Sequence, residues 1–214
     1  MPAEVRRPRA LLLDAMGTLI GLRQSVGRSY AAVAAEHGLV VEAAAIDRVF
    51  PAVYRQAPPL AFPGLAGEEL AAAERRWWGE RIEEAFRQAA GIAPPAELAE
   101  ALFDHFAGPA PWKVYADVAP CLERWSAEGI RLGVVSNFDQ RLFGLLEALG
   151  LAPWLEVVVV SSTAGAAKPS PIPFRQALDR LEVEPARAWH VGDSREDTEG
   201  AAAAGLRPLR IRRS

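Results

Sequence analysis

One interruption governs what this chain can fold into. Residues 10–13 are an apolar run that closes on Asp14 and Gly17. Such a run predicts a buried strand feeding a loop. From residue 22 to residue 108 only helical spacing follows. Strands reappear after Gly108-Pro109-Ala110-Pro111, a stretch whose turn residues predict a hinge. From there strands and helices alternate, the pattern of a parallel sheet covered by helices. A helical block has therefore been inserted into an α/β domain just behind its first strand.

The helical block reads as four segments. Residues 24–37 place Val26, Tyr30, Val33 and Ala34 on one face, with Gly38 as the stop. Residues 42–54, 68–90 and 96–107 repeat the amphipathic pattern, and Gly91 with Pro94-Pro95 ends the longest of them. Beyond the hinge, helices are expected over 118–128, 140–149, 171–181 and 196–204. Strands are expected over 130–135, 157–160, 188–191 and 206–211. These strands are apolar without alternation, which predicts burial on both faces. The expected fold class is thus α/β, a Rossmann-like parallel sheet with an inserted α-helical cap. Residues 1–21 and 109–214 form the core and residues 22–108 the cap. Open sheets of this kind bind ligands at the carboxyl ends of their strands, and that is where a cap would sit.

Composition narrows the function classes. Half of the 214 residues are hydrophobic and 24% are charged, enough of each for a globular core. A net charge of −3 gives no reason to expect nucleic acid or an acidic membrane as a partner. All but two of the basic residues are arginines, and Arg6 and Arg7 read as a solvated terminus. The one cysteine, Cys121, excludes a disulfide within the chain and suits a reducing, cytoplasmic compartment. Asp14 breaks the first apolar stretch after four residues, too soon for a signal-peptide core. No apolar run approaches the ~20 residues of a spanning helix. The sequence leaves the oligomeric state open.

Four stretches at the ends of expected strands carry chemistry. They are Asp14-Ala15-Met16-Gly17-Thr18, Val135-Ser136-Asn137, Lys168-Pro169 and Gly192-Asp193-Ser194-Arg195-Glu196-Asp197. Together they supply carboxylates, a hydroxyl, backbone amides and one ammonium. That set suits an anionic substrate bound through a hard divalent cation. Lys168 is one of only two lysines; the other, Lys113, reads as a linker charge.

These stretches, in this order, resemble the four motifs of the haloacid dehalogenase superfamily. The insertion resembles the helical cap of its dehalogenase and phosphoglycolate-phosphatase-like branch. Ser25-Val26-Gly27, Trp77-Trp78, Trp112-Lys113-Val114-Tyr115 and Val135-Ser136-Asn137-Phe138-Asp139 are similar to the rhythmically-expressed-gene-like hydrolases within it. The resemblance implies a five-stranded parallel sheet with the Asp14 strand in the middle. It implies a nucleophile at Asp14 and magnesium held by Asp14, the backbone carbonyl of Met16 and Asp193, with Asp197 steadying the site. Ser136 and the amide of Asn137 would take phosphate oxygens. Lys168 would orient Asp14 and neutralise the phosphoryl group, and Thr18 would bond to Asp14 or its loop.

Met16 departs from the phosphatases, which carry an aspartate there as general acid and base. The dehalogenases carry a bulky residue at that position but lack the metal ligand that Asp193 provides. Three functions therefore stand open: a magnesium-dependent phosphatase of small phosphomonoesters, a 2-haloacid dehalogenase-like hydrolase, and a phosphometabolite-binding protein that has lost turnover. Several other residues have plainer expectations. His37 complements a helix end, His105 lies on the cap surface and His190 is a core residue or one supporting the site. Trp77 and Trp78 belong to the cap core. Arg23, Gln24, Arg28 and Tyr30 are candidates for lining a cleft between cap and core.

Overall fold

The computed structural model describes residues 7–213; Arg6 lies outside the described residues. In chain order the elements are β1 (Ala10–Leu13), β2 (Ile20–Leu22), α1 (Val26–Glu36), α2 (Ala43–Gln56), α3 (Gly67–Ala90), α4 (Ala96–His105) and β3 (Trp112–Val114). There follow α5 (Val118–Ala127), β4 (Arg131–Ser136), α6 (Arg141–Ala148), β5 (Val157–Val160), α7 (Ser161–Ala164), α8 (Ile172–Leu181), β6 (Ala188–Gly192), α9 (Arg195–Ala203) and β7 (Arg207–Arg210).

Two compact units emerge. The first comprises residues 1–21, Leu60–Leu65 and Val114–Ser214, and the second Leu22–Pro59 and Ala66–Lys113. The expected boundaries differ from this at two places. Leu60–Leu65 belongs to the α/β unit although it interrupts the helical block, and the return crossing falls at Val114. Ser161 Oγ donates to Leu60 O at 2.6 Å, which ties that segment to the start of α7. Two short strands flank the helical block: β2 and β3 form a two-stranded sheet that the sequence pattern does not announce.

In the α/β unit the sheet order is β5–β4–β1–β6–β7, with every pair parallel. The strand that ends in Asp14 is central. Leu13 lies opposite Val134 on one side and Val191 on the other. Asp14 and Asp193 directly follow β1 and β6, and Ser136 ends β4, so all three lie at the carboxyl edge of the sheet. Helix α8 packs on β5, β4 and β1, and α9 on β6 and β7. Their core joins Leu12, Val159, Phe174, Leu178 and Leu206, all buried. Burial on both faces holds for β1 and for β4 beyond Arg131, but not for β6. Trp189 and Val191 are only half-buried, because α5 lies against β4 rather than β6.

The helical unit has its own core. Ser25 caps α1, its Oγ accepting from Arg28 N at 3.3 Å. One face of α1 buries Tyr30, Val33 and Ala34 against Ile46, Phe86 and Leu98. Tyr30 is 2% exposed and stacks on Phe86, so it is a core residue and not a cleft candidate. Trp77 is buried, with its indole N–H donating to Pro58 O at 3.0 Å. His105 is half-buried rather than superficial, and burial pushes its pKa down. Among the described residues no helix is long and apolar enough to cross a membrane.

Candidate active site

The loop after β1 is tight. Ala15 O accepts from the backbone N–H groups of Thr18, Leu19 and Ile20 at 3.2, 2.8 and 3.0 Å. This turn needs Gly17 at φ +80°, the left-handed region. It buries Asp14, leaving it 5% exposed, and turns the Met16 side chain outward at 41% exposure.

Lys168 reaches Asp14 from the other side of the sheet edge. Its Nζ donates to Asp14 Oδ1 at 2.6 Å, Asp197 Oδ1 at 2.5 Å and Val135 O at 3.1 Å. Three acceptors satisfy the three N–H groups of an ammonium. Asn137 holds the loop that delivers it. The backbone N–H of Lys168 donates to Asn137 Oδ1 at 2.7 Å, and Asn137 Nδ2 donates to Lys168 O at 3.1 Å. Ser136 Oγ donates to Asp14 Oδ1 at 3.1 Å. Asp14 Oδ1 thus takes two donors, while Oδ2 takes none among the described residues.

The fourth stretch opens α9 with a capping box between Ser194 and Asp197. Asp197 Oδ2 accepts from Ser194 N at 3.0 Å and Ser194 Oγ at 2.7 Å. Its Oδ1 accepts from Lys168 and from His190 Nε2 at 2.9 Å. Both oxygens are therefore spoken for. Asp193 is half-buried and points toward Asp14, and Arg210 Nε fixes its carbonyl at 3.1 Å. One carboxylate oxygen from each of Asp14, Asp193 and Asp197 lies within 4.8 Å of the others.

The charges respond to this crowding. Burial alone would lower the Lys168 pKa, but the charges of Asp14 and Asp197 outweigh it and raise it. Burial likewise works to raise Asp197. The His190 hydrogen bond, the Lys168 charge and Ser194 overcome it and hold that carboxyl well below the usual range. Asp193 shifts upward, first through burial and then through the charges of Asp14 and Asp197. Three carboxylates against one ammonium leave an excess of two negative charges when all are ionised, and Asp193, which makes no ion pair with Lys168, contributes one of them. A hard divalent cation fits that donor set and that charge.

Thr18 does not bond to Asp14. Its Oγ1 is buried with no hydrogen-bond partner among the described residues. The Thr18 carbonyl is held instead, accepting from Arg213 Nε at 3.1 Å and Nη2 at 2.6 Å. Arg213 and the Val135 carbonyl were not legible as site-supporting groups. His190 was placed only in the core or beside the site. Its alternation with Gly192 on β6, sharing the face under Asp197, was the available signal.

A carboxylate-bearing loop at the centre of a parallel sheet, with lysine, hydroxyl and two further acids around it, is the arrangement of a class of α/β hydrolase. A family model described as haloacid dehalogenase-like hydrolase matches residues 8–205. The chain is 38% identical over 205 residues to haloacid dehalogenase-like hydrolase domain-containing protein 3 of Bos taurus, covering 92% of this chain and 79% of that one. It is also 44% identical over 94 residues to a phosphoglycolate phosphatase of Rhodospirillum rubrum, a match to 44% of this chain and 39% of that one. The L-2-haloacid dehalogenase structure from Xanthobacter autotrophicus superposes with a TM-score of 0.71 at 19% identity, covering 95% of this chain and 77% of that one. The chain belongs to the haloacid dehalogenase-like hydrolase family.

Proposed function

We propose that this hydrolase is a magnesium-dependent phosphatase of small phosphomonoesters that works through a phosphoryl-aspartate on Asp14. The observation that carries this reading is the doubly negative cluster of Asp14, Asp193 and Asp197 around one ammonium. Relatives named as phosphatases, the Rhodospirillum rubrum protein among them, support it.

In this reading Asp14 and Asp193 would hold the cation together with the Met16 carbonyl. Asp197 does not, because its two oxygens already accept four hydrogen bonds. The cation would supply charge neutralisation for an approaching phosphate dianion. Asp14 Oδ2, the oxygen without a hydrogen bond, attacks phosphorus as the bond to the leaving oxygen breaks. Lys168 holds Asp14 Oδ1 and offsets charge on the phosphoryl group. Ser136 and the amide of Asn137 bind its oxygens. Water then cleaves the phosphoryl-aspartate, releasing phosphate and restoring Asp14. Residues 22–108 would be the cap domain of this hydrolase.

A dehalogenase-like displacement is the second reading, and Met16 favours it. A halide leaves without a proton, so a thioether in place of an acid costs that reaction nothing. The deciding experiment assays phosphomonoesters and 2-haloacids with and without magnesium, on wild type and Asp14→Asn. Phosphate release that needs both magnesium and Asp14 supports the phosphatase. Metal-independent halide release replaces it with the dehalogenase.

A further inference from the structure

His190 has no part in the chemistry just described, yet it is 1% exposed and bonded to the heart of the site. It sits on β6 with its ring edge-on to Phe174, the centroids 4.8 Å apart. Its Nε2 lies 2.9 Å from Asp197 Oδ1, the same oxygen that accepts from Lys168. Its Nδ1 is buried with no partner.

These facts fix the tautomer. Asp197 Oδ1 is an acceptor, so Nε2 must carry the hydrogen. A hydrogen on Nδ1 as well would be a buried donor with nothing to bond, which is costly. Burial also moves the imidazole pKa down, with the Lys168 charge acting in the same sense. His190 is therefore a neutral donor. It restrains Asp197 without changing the net charge on which cation binding depends.

The restraint reaches Asp14 in two steps. Ser194 fastens Asp197 Oδ2, which leaves Oδ1 free to swing unless something else holds it. His190 is that second anchor. With Oδ1 fixed, the ammonium of Lys168 is drawn between Asp197, Val135 O and Asp14 and has one geometry. We propose that His190 is a positioning residue, whose Nε2–H bond to Asp197 aims Lys168 at Asp14 Oδ1. The kinetic part rests on Asp14 being the nucleophile; the geometric part does not.

The test uses the full chain with His190→Gln, which keeps an N–H donor, and His190→Leu, which does not. Long-range ¹H–¹⁵N spectra of wild type should show a neutral Nε2–H imidazole; an Nδ1–H tautomer overturns the proposal. Crystal structures should show the Lys168–Asp14 contact open beyond about 3.2 Å in His190→Leu and intact in His190→Gln. An unchanged contact in His190→Leu overturns it. With p-nitrophenyl phosphate and magnesium, His190→Leu should lose about 10–100-fold in kcat with KM nearly constant, and His190→Gln should recover most of it. Equal losses in the two variants overturn it. If wild type cleaves no phosphoester, the phosphatase reading fails, and the spectra and crystal structures still decide the role of His190.

Discussion

Gly17 lies so close to Asp193 that a Cβ on it would stand 2.4 Å from Asp193 Oδ2. A glycine in the loop after β1 thus makes room for an acid at the end of β6, the neighbouring strand in the sheet. Gly17→Ala adds two penalties. The φ of +80° is strained for alanine by roughly 1–2 kcal/mol, and the new methyl pushes the Asp193 carboxylate from Asp14. Urea unfolding should show a stability loss of that order, and calorimetry a weaker magnesium affinity. Unaltered magnesium affinity would mean that Asp193 relaxes elsewhere without consequence.

Lys168→Met leaves Asp14 and Asp197 facing each other with no cation between them. Breaking a buried ion pair from one side costs about 3–5 kcal/mol, and denaturant unfolding at neutral pH should read a loss of that size. The pH dependence has a defined sign. The Lys168 pKa is raised on folding, so its contribution is full below the unfolded value of about 10.4 and fades as pH rises through the folded one. The Asp197 pKa is lowered, so its contribution is full above about 3.9 and fades as pH falls through the folded value. Wild type should therefore lose stability at both extremes, and Lys168→Met should lose the alkaline arm.

Asp193 behaves in the opposite way. Its pKa is raised in the metal-free protein by burial and by its acidic neighbours. A proton therefore competes with the cation at a higher pH than at an ordinary carboxylate. Magnesium affinity should climb as pH rises through that value, with proton release on binding. Calorimetry in buffers of different ionisation enthalpy measures both. Asp193→Asn should bind magnesium far more weakly at every pH. Equal affinity in the variant would take Asp193 out of the cation site.

Some of this was legible in the sequence for clear physical reasons. The runs 10–13 and 157–160 are strands over those same residues, because each is apolar throughout and stops at a polar residue. Helix α3 ends where Gly91 takes up φ +70°, a conformation its flanking residues resist. Asp14, Ser136, Lys168, Asp193 and Asp197 meet because parallel strands deliver all their ends to one edge. Periodicity has nothing to say about Leu60–Leu65, an irregular apolar segment whose unit is set by Ser161. Arg213 was equally hidden, since a long side chain meeting a carbonyl 195 positions away leaves no local pattern. The Thr18 hydroxyl makes no bond to Asp14, because the backbone turn on Ala15 O, not side-chain preference, sets where it lies.

Met16 follows Asp14 by two residues, its side chain is exposed, and a thioether transfers no proton. Within the α/β site the other candidates are committed: Lys168 to three acceptors, Asp197 to four donors and His190 to Asp197. A phosphatase built this way should be steeply sensitive to its leaving group. An aryl phosphate with an acidic phenol departs without help, whereas an alkyl phosphate leaves as a basic alkoxide and needs a proton. Hydrolysis of the phosphoryl-aspartate lacks a base as well, so that species should accumulate and be trapped by acid quench. Met16→Asp should restore part of the ~10²–10⁴-fold that acid–base catalysis supplies. The gain will be smaller if the new carboxyl stays ionised beside Asp14 and Asp193, since only a raised pKa makes it an acid. A leaving-group series on both proteins measures this, with wild type giving the steeper slope and Met16→Asp the shallower. A flat wild-type series with good alkyl turnover would assign the proton to another group. No turnover by either protein, together with saturable binding of phosphometabolites, would make the chain a binding protein that has kept its site and lost its chemistry.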